Sequence, residues 1–96
     1  YGTQAVAKEG SLGIVETYSA SSAIKAADIA VKTSRVEIYE LRLSRGMGGK
    51  GVLLVTGEVG DVTAAVEAGA KYAKEQSLYN YSAVIAAPHK ELWEQL

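Results

Sequence analysis

Apolar and polar residues alternate along this chain in a pattern that predicts four strands and two long helices. Period-2 alternation or a short continuous apolar run indicates a strand, and apolar residues three and four positions apart indicate a helix. Predicted strands cover residues 11–17, 36–44, 52–57 and 78–87, and predicted helices cover residues 23–33 and a segment that begins after Asp61. The run 52–55 has no polar position, so we expect that strand to be buried on both faces.

The two helical segments carry different apolar faces. In the first, Ile24, Ala27 and Val31 form a narrow stripe against which we expect another element to pack closely. The second has the clearest helical period in the chain, with Asp61 as its expected N-cap. Its apolar positions are Val62, Ala65, Val66, Gly69, Tyr72 and Ala73. Because glycine lowers helix propensity, we expect close packing at Gly69.

The second predicted strand changes phase in its middle. Val36 and Ile38 set one alternation. Tyr39, Leu41 and Leu43 set the opposite one. A slip of one residue turns every later side chain to the other face, so the change predicts a β-bulge or a strand that passes between two environments. The short glycine-rich segment that follows favours an antiparallel hairpin with the next strand.

The predicted order β-α-β-β-α-β is that of the ferredoxin-like α+β fold, a four-stranded antiparallel sheet with two helices on one face. Pro88 suits the start of a short terminal helix, whose apolar side carries Leu92, Trp93 and Leu96. The second face of the sheet must be covered by solvent, by this helix or by other subunits. Since the run 52–55 has no polar face, solvent alone does not fit, and we expect an oligomer.

Length and composition narrow the class of protein. A chain of 96 residues suggests one domain. Residues 1–10 have no clear period, and we interpret them as a tail or linker remnant before a domain at residues 11–96. The formal net charge of −1 argues against broad attraction to nucleic acid or to a membrane. Cysteine is absent from the sequence, which excludes disulfides and thiolate chemistry. We expect no metal and no cofactor.

Reactive side chains do not form a recognisable catalytic set. His89 is the single histidine, and neither a nucleophile nor a metal set can be assigned around it. The carboxylates are scattered without an identifiable acid/base pair. In the first turn of a helix, His89 suits hydrogen bonding and packing. We therefore expect no catalytic residue and no enzymatic activity.

The glycine-rich segment at residues 44–51 is the feature most closely tied to function. Four of residues 46–51 (GMGGKG) are glycine, and Arg45 and Lys50 add positive charge. Three interpretations remain open: a tight hairpin turn, a phosphate-binding loop, or glycine amides that meet at a symmetry axis and form a pore. The phosphate interpretation is weak, because neither serine nor threonine follows the lysine and the loop leads into a strand.

Four segments together resemble the shell domain of bacterial microcompartments, over residues 12–93. They are LGIVET, AIKAADIAVKTSRV, GEVGDVTAAVEAG and VIAAPHKELW, which begin at residues 12, 23, 57 and 84. The loop GMGGKG and the ending PHKELW are most similar to the second half of tandem-domain shell proteins, as in propanediol-utilisation compartments. The resemblance implies a variant ferredoxin-like fold, in agreement with the predicted order.

The resemblance also implies flat hexamers, or trimers of tandem chains, that tile with other shell proteins around encapsulated enzymes. It assigns pore-lining positions to Gly46, Met47, Gly48, Gly49 and Lys50. The edge and assembly residues it implies are Lys32, Asp28, Ala87 and His89. Ala87 stands where the family has an edge arginine, which weakens the case for tight tiling through that residue. The iron–sulfur cluster that some tandem members hold through cysteine is not implied for this chain.

We therefore expect a structural shell subunit in the bacterial cytoplasm whose pore passes small polar metabolites. The expected partners are copies of itself, other shell proteins and encapsulated enzymes, and they include neither nucleic acid nor a membrane. The alternative is a ferredoxin-like effector-binding or signalling module that binds a phosphate-bearing ligand at residues 46–51. A ring or an extended sheet supports the shell, whereas a compact trimer with nucleotide affinity supports the module.

Overall fold

The computed structural model describes residues 10–44, 49–86 and 90–96, and it confirms the predicted order of elements. In chain order they are β1 Ser11–Thr17, α1 Ala20–Thr33, β2 Val36–Leu43, β3 Gly51–Gly57, α2 Val59–Glu75, β4 Tyr79–Ile85 and α3 Lys90–Gln95. The strands form one antiparallel sheet in the order β2-β3-β1-β4. This is the ferredoxin-like α+β arrangement with a short C-terminal helix.

Both faces of the central strands are covered. The core under α1 and α2 contains Leu53 and Val55, and the core under α3 contains Leu54 and Trp93. The three β3 side chains are at most 4% exposed, as expected for a run without a polar position. The terminal helix therefore supplies cover for the second face of the sheet.

The predicted β-bulge lies in β2. Ile38 pairs with Val55 and Glu40 pairs with Leu54, so Tyr39 is the extra residue between two registers. The bulge sends the Tyr39 side chain into the core under α3, where its ring centre lies 5.4 Å from that of Trp93. A local irregularity of the strand thus anchors the terminal helix.

Each long helix packs directly against a glycine of the sheet. A Cβ at Gly13 would lie 2.6 Å from Val66 and 2.7 Å from Val62, both in α2. A Cβ at Gly51 would overlap the Cβ of Ala23 in α1. Carbon atoms in proteins pack at about 3.5–4.0 Å, so only glycine allows the helices to approach this closely.

The expected close packing at Gly69 of α2 is present but not extreme. A Cβ at this position would lie 3.5 Å from the Cβ of Ala26 in α1 and 3.7 Å from Val15 of β1. These are ordinary van der Waals distances, so the two helices approach one another closely while leaving room for one methyl group.

Both long helices begin earlier than predicted. The Asp61 N-cap prediction is wrong, because α2 begins at Val59 with Glu58 as its N-cap. The Glu58 carboxylate accepts a hydrogen bond from the backbone N–H of Gly60 at 2.9 Å. Asp61 therefore lies inside the first turn of α2 and does not cap it. Helix α1 likewise begins before the predicted residue 23, with Ser19 as its N-cap. Side chains just outside each helix satisfy its free amides.

The inward face of α1 differs from the predicted stripe. Its buried residues are Ser22, Ala23, Ala26, Ala27 and Ala30. Ile24 and Val31 are instead 49% and 41% exposed. Periodicity assigns the larger apolar residues to the core, whereas the close approach of α1 to the sheet and to α2 leaves room only for small side chains.

Candidate functional site

The expected pore-lining segment joins β2 to β3 at one end of the sheet, which we call the loop end. Gly46, Met47 and Gly48 lie outside the described residues, whereas Gly49 and Lys50 lie within them. The backbone N–H of Ser44 donates to the carbonyl of Lys50 at 2.8 Å and joins the two stems. Gly49 has a φ of 31°, a left-handed conformation that glycine adopts readily.

Lys50 lies over an aromatic ring at the base of this segment. Thr17 pairs with Gly51 in the β1–β3 ladder, and Tyr18 and Lys50 continue that register as a facing pair. The Nζ of Lys50 is 5.5 Å from the centre of the Tyr18 ring, within cation–π range. The backbone N–H of Tyr18 donates to the carbonyl of Leu78 at 2.8 Å, which fixes the backbone beneath the ring.

Lys32 lies at the opposite end of the sheet, which we call the edge end. Helix α1 starts beside Gly51, and its 14 residues extend about 20 Å along the sheet. Val36, shortly after the helix, pairs with Gly57 at the far end of β3. The Nζ of Lys32 is 3.1 Å from Oδ2 of Asp28, and both side chains are exposed. Exposed pairs at this spacing contribute about 0.3–0.5 kcal/mol.

The structure separates the described site residues into two groups. Gly49 and Lys50 lie at the loop end, and Lys32 and Asp28 lie at the edge end. Ala87 and His89 lie outside the described residues. The last residue of β4, Ile85, pairs with Leu12 near the edge end.

Two grooves that the sequence reasoning missed run along the sides of the domain. The first, on the outer side of α1, has a volume of about 460 Å³ and is lined in part by Ile24, Val31 and Ile38. The second, between α2 and β4, has a volume of about 490 Å³ and includes Val66 and Ala70. We call them the α1 flank and the α2 flank. Because β2 and β4 are the outer strands of the sheet, the flanks lie on opposite sides.

Charges of both signs surround the apolar parts of these grooves. They are Lys25 and Asp28 on the α1 flank, and Glu67, Lys71, Lys74 and Glu75 on the α2 flank. In the α2 flank, the Nζ of Lys74 lies 4.6 Å from the centre of the Tyr79 ring, whose hydroxyl is 2.7 Å from that of Ser82. An apolar centre with a mixed polar rim is typical of a protein–protein contact.

Arg42 of β2 links the sheet to the residue that follows α3. Its Nη2 donates to Oε1 of Glu40 at 3.0 Å and to the carbonyl of Leu96 at 3.2 Å. The hydrogen bond with Glu40 raises the pKa of Arg42 above its ordinary value. The contact with Leu96 helps to hold α3 against the second face of the sheet.

Metal-ligand groups and membrane-spanning helices are both absent from the described part of the chain. Among residues 10–44, 49–86 and 90–96, His, Asp and Glu side chains do not converge in a group of three or more that could hold a metal ion. Within the same residues, no helix is both long and apolar enough to cross a membrane.

A family model described as the BMC domain matches residues 11–88, from the start of β1 to beyond the end of β4. The chain belongs to the BMC domain family. Relatives of this BMC domain include the bacterial microcompartment shell proteins PduT and PduA of Citrobacter freundii, and the carboxysome shell protein CsoS1A of Hydrogenovibrio crunogenus.

The similarity extends over nearly the whole chain. PduT is 41% identical over 95 residues, which are 99% of this chain and 52% of PduT. PduA is 36% identical over 88% of this chain and 89% of PduA, and CsoS1A is 40% identical over 84% of this chain and 83% of CsoS1A. A crystal structure of a microcompartment protein from Desulfitobacterium hafniense has a TM-score of 0.83 at 41% identity, covering 88% of this chain and 47% of that one.

These relatives confirm the resemblance to a microcompartment shell domain and favour the structural role over the effector-binding module. The three named relatives are shell proteins by description. The BMC domain spans about half the length of PduT and of the Desulfitobacterium protein, and most of the length of PduA.

Proposed function

We propose that this BMC domain forms one sector of a six-domain ring, built from six such chains or from three chains with two domains each. The observation that carries the proposal is the placement of the two flanks on opposite sides of the domain, between the loop end and the edge end. A head-to-tail contact between two unlike surfaces repeats around an axis and closes into a ring when the rotation allows it.

The α1 flank supports contact with a neighbouring BMC domain. Ile24 and Val31 are both large apolar residues, and they are 49% and 41% exposed. They lie seven positions apart, so they form a ridge along one side of the helix. Burial of such side chains against the α2 flank of the next domain removes apolar surface from water and favours association.

In this ring the loop ends of the domains face the axis and the edge ends face outwards. Gly46, Met47, Gly48 and Gly49 then line a central opening, with Lys50 beside them. Glycine keeps an opening wide and presents backbone amides to small polar metabolites, whereas Met47 narrows it. The ring is a structural tile of the microcompartment shell, within the bacterial cytoplasm.

Substitution of Gly48 tests the pore. We expect Gly48→Phe to slow the passage of small polar metabolites through intact shells before it affects folding, because the side chains fill a shared opening. Gly48→Ala is the matched control and should retain most of the flux. Leakage assays on shells of normal size and yield provide the measurement. Equal metabolite leakage from Gly48→Phe and parent shells would contradict the pore assignment.

At the outer rim, Lys32 joins neighbouring tiles, with Asp28 holding its side chain. Ala87 replaces the edge arginine of the family, so tiling depends more heavily on Lys32. We expect Lys32→Ala to abolish extended sheets in electron micrographs while leaving rings intact, and Lys32→Arg to retain sheets. Sheets of normal extent from Lys32→Ala would overturn this edge assignment.

We take residues 11–96 as the domain proper. His89 has a packing role near the edge rather than a catalytic one. Other shell proteins and the encapsulated enzymes are the partners of the assembled tile.

A further inference from the structure

Lys50 is held in a different way from the cations that form ion pairs in the described part of the chain. Lys32 contacts Asp28, and Arg42 contacts Glu40, so a carboxylate offsets each of those charges. Within the described residues Lys50 has no ion pair, and its Nζ lies over the Tyr18 ring. An aromatic ring attracts an ammonium group without cancelling its net charge.

Glu16, an acidic residue on the same sheet face, is directed away from Lys50. Glu16 pairs with Val52 in the β1–β3 ladder, and Lys50 lies two positions before Val52 on that face. The Glu16 carboxylate accepts a hydrogen bond from Nδ2 of Asn80 in β4 at 2.6 Å. Since β4 and β3 flank β1 on opposite sides, this bond draws the carboxylate away from the strand that carries Lys50.

The backbones that carry Tyr18 and Lys50 are both fixed. Gly51 packs directly against the first turn of α1, and the carbonyl of Lys50 accepts a hydrogen bond from Ser44 at 2.8 Å. The N–H of Tyr18 donates to Leu78 at 2.8 Å. The backbone is fixed at both residues, so the contact between the Tyr18 ring and the Lys50 ammonium orients an otherwise flexible lysine side chain.

We propose that Tyr18 is a positioning residue that holds the Lys50 ammonium, which makes no ion pair within the described residues, at the base of the loop, and that the opening consequently favours small anions such as carboxylates. This inference rests on the proposed ring and pore. Each further copy of the pair around the axis adds to the positive potential at the opening. The Tyr18 hydroxyl is not needed for this role, since the ring face provides the attraction.

The test compares the passage of two small probes of similar size, acetate and ethylammonium, through intact shells. Lys50→Gln should lower the ratio of anion flux to cation flux most strongly. Tyr18→Leu should lower that ratio by less than Lys50→Gln does, because an exposed cation–π contact biases the position of the ammonium only about two- to fivefold. Tyr18→Phe, which keeps the ring, should retain the parent ratio.

A double variant separates positioning from a general effect on folding. In the Lys50→Gln background, Tyr18→Leu should leave the flux ratio unchanged, because no ammonium remains to be positioned. If Tyr18→Leu lowered the flux ratio equally with and without Lys50, the role of Tyr18 would be overturned. The parent flux ratio in Tyr18→Leu shells would overturn it as well. An unchanged ratio in Lys50→Gln shells would overturn the anion preference. A failure of the pore itself is distinguishable, because both probes would then cross Gly48→Phe shells at the parent rate.

Discussion

Helices α1 and α2 cover the same face of the sheet, yet they present different surfaces to the outside. Each packs against a strand glycine, Gly51 under α1 and Gly13 under α2. On the outside, α1 exposes Ile24 and Val31, whereas charged residues dominate the rim beside α2. In α1 the residues that stabilise the domain and the residues available for assembly are therefore separate sets, small ones inside and large ones outside.

The close approach of the helices explains this division. Ala26 of α1 lies close to α2, because a Cβ added at Gly69 would be 3.5 Å from the Cβ of Ala26. A larger side chain on the inner face of α1 would force the helices apart. The larger apolar residues Ile24 and Val31 consequently lie on the outer side of α1.

Among Gly13→Ala, Gly69→Ala and Ser19→Ala, we expect the largest effect on stability from Gly13→Ala. In Gly13→Ala the new methyl group overlaps Val62 and Val66 of α2, at hypothetical distances of 2.7 and 2.6 Å. We expect the free energy of unfolding to fall by about 1–3 kcal/mol. Urea denaturation is the measurement, at one protein concentration for all variants, because assembly adds to apparent stability.

Gly69→Ala is the matched control on the helix itself. Its methyl group meets Ala26 and Val15 at 3.5 and 3.7 Å, so the site has room for it. Replacing a helical glycine by alanine should stabilise the domain by about 0.5–1 kcal/mol. If both glycine variants shifted the urea midpoint in the same direction by similar amounts, this result would contradict the close contact of α2 with Gly13.

A smaller effect is expected at the start of α1. Ser19→Ala removes the acceptor for the N–H of Ser22, a hydrogen bond of 2.9 Å, and should cost about 1 kcal/mol. Ser21→Ala is the control, since its exposed hydroxyl contacts Ser19 without capping a backbone amide. Thermal denaturation of the two variants distinguishes them, and equal melting temperatures would argue against Ser19 as the cap.

The sequence pattern predicted those features of the fold that depend on local order. The phase change at Tyr39 predicted the bulge, and the run without polar positions predicted a strand buried on both faces. The sequence pattern did not predict the inward face of α1, because periodicity does not reveal how close a neighbouring helix lies. It also failed at the start of α2, where Glu58, a residue type uncommon as an N-cap, precedes the expected Asp61.

The candidate site was predictable only in part. The composition of the loop indicated Lys50, which lies at the loop end. The family resemblance indicated Lys32, which lies at the edge end. The flanks were not predicted, since they depend on which side of α1 faces outward. The contact of Lys50 with Tyr18 joins residues distant in sequence, and it becomes apparent only from the register of β1 and β3.

The smallest effect on the stability of the single domain is expected on the outer side of α1. Ile24→Asn with Val31→Asn changes exposed positions, so each substitution should alter the free energy of unfolding by less than about 0.5 kcal/mol. Urea denaturation at concentrations low enough to separate the domains measures this. A loss well above about 1 kcal/mol for the double variant, the sum of the two limits, would show that these residues belong to the core.

The same double variant provides the most direct test of the central claim that the α1 flank binds a neighbouring BMC domain. Sedimentation equilibrium of the parent chain should give the mass of a six-domain assembly, and the variant should give that of a single folded domain. Lys71→Asn, which changes a charge on the rim of the α2 flank without removing its apolar part, should retain most of the assembly. A double variant that keeps the parent mass, or a parent that remains a single domain at every concentration, would contradict the account.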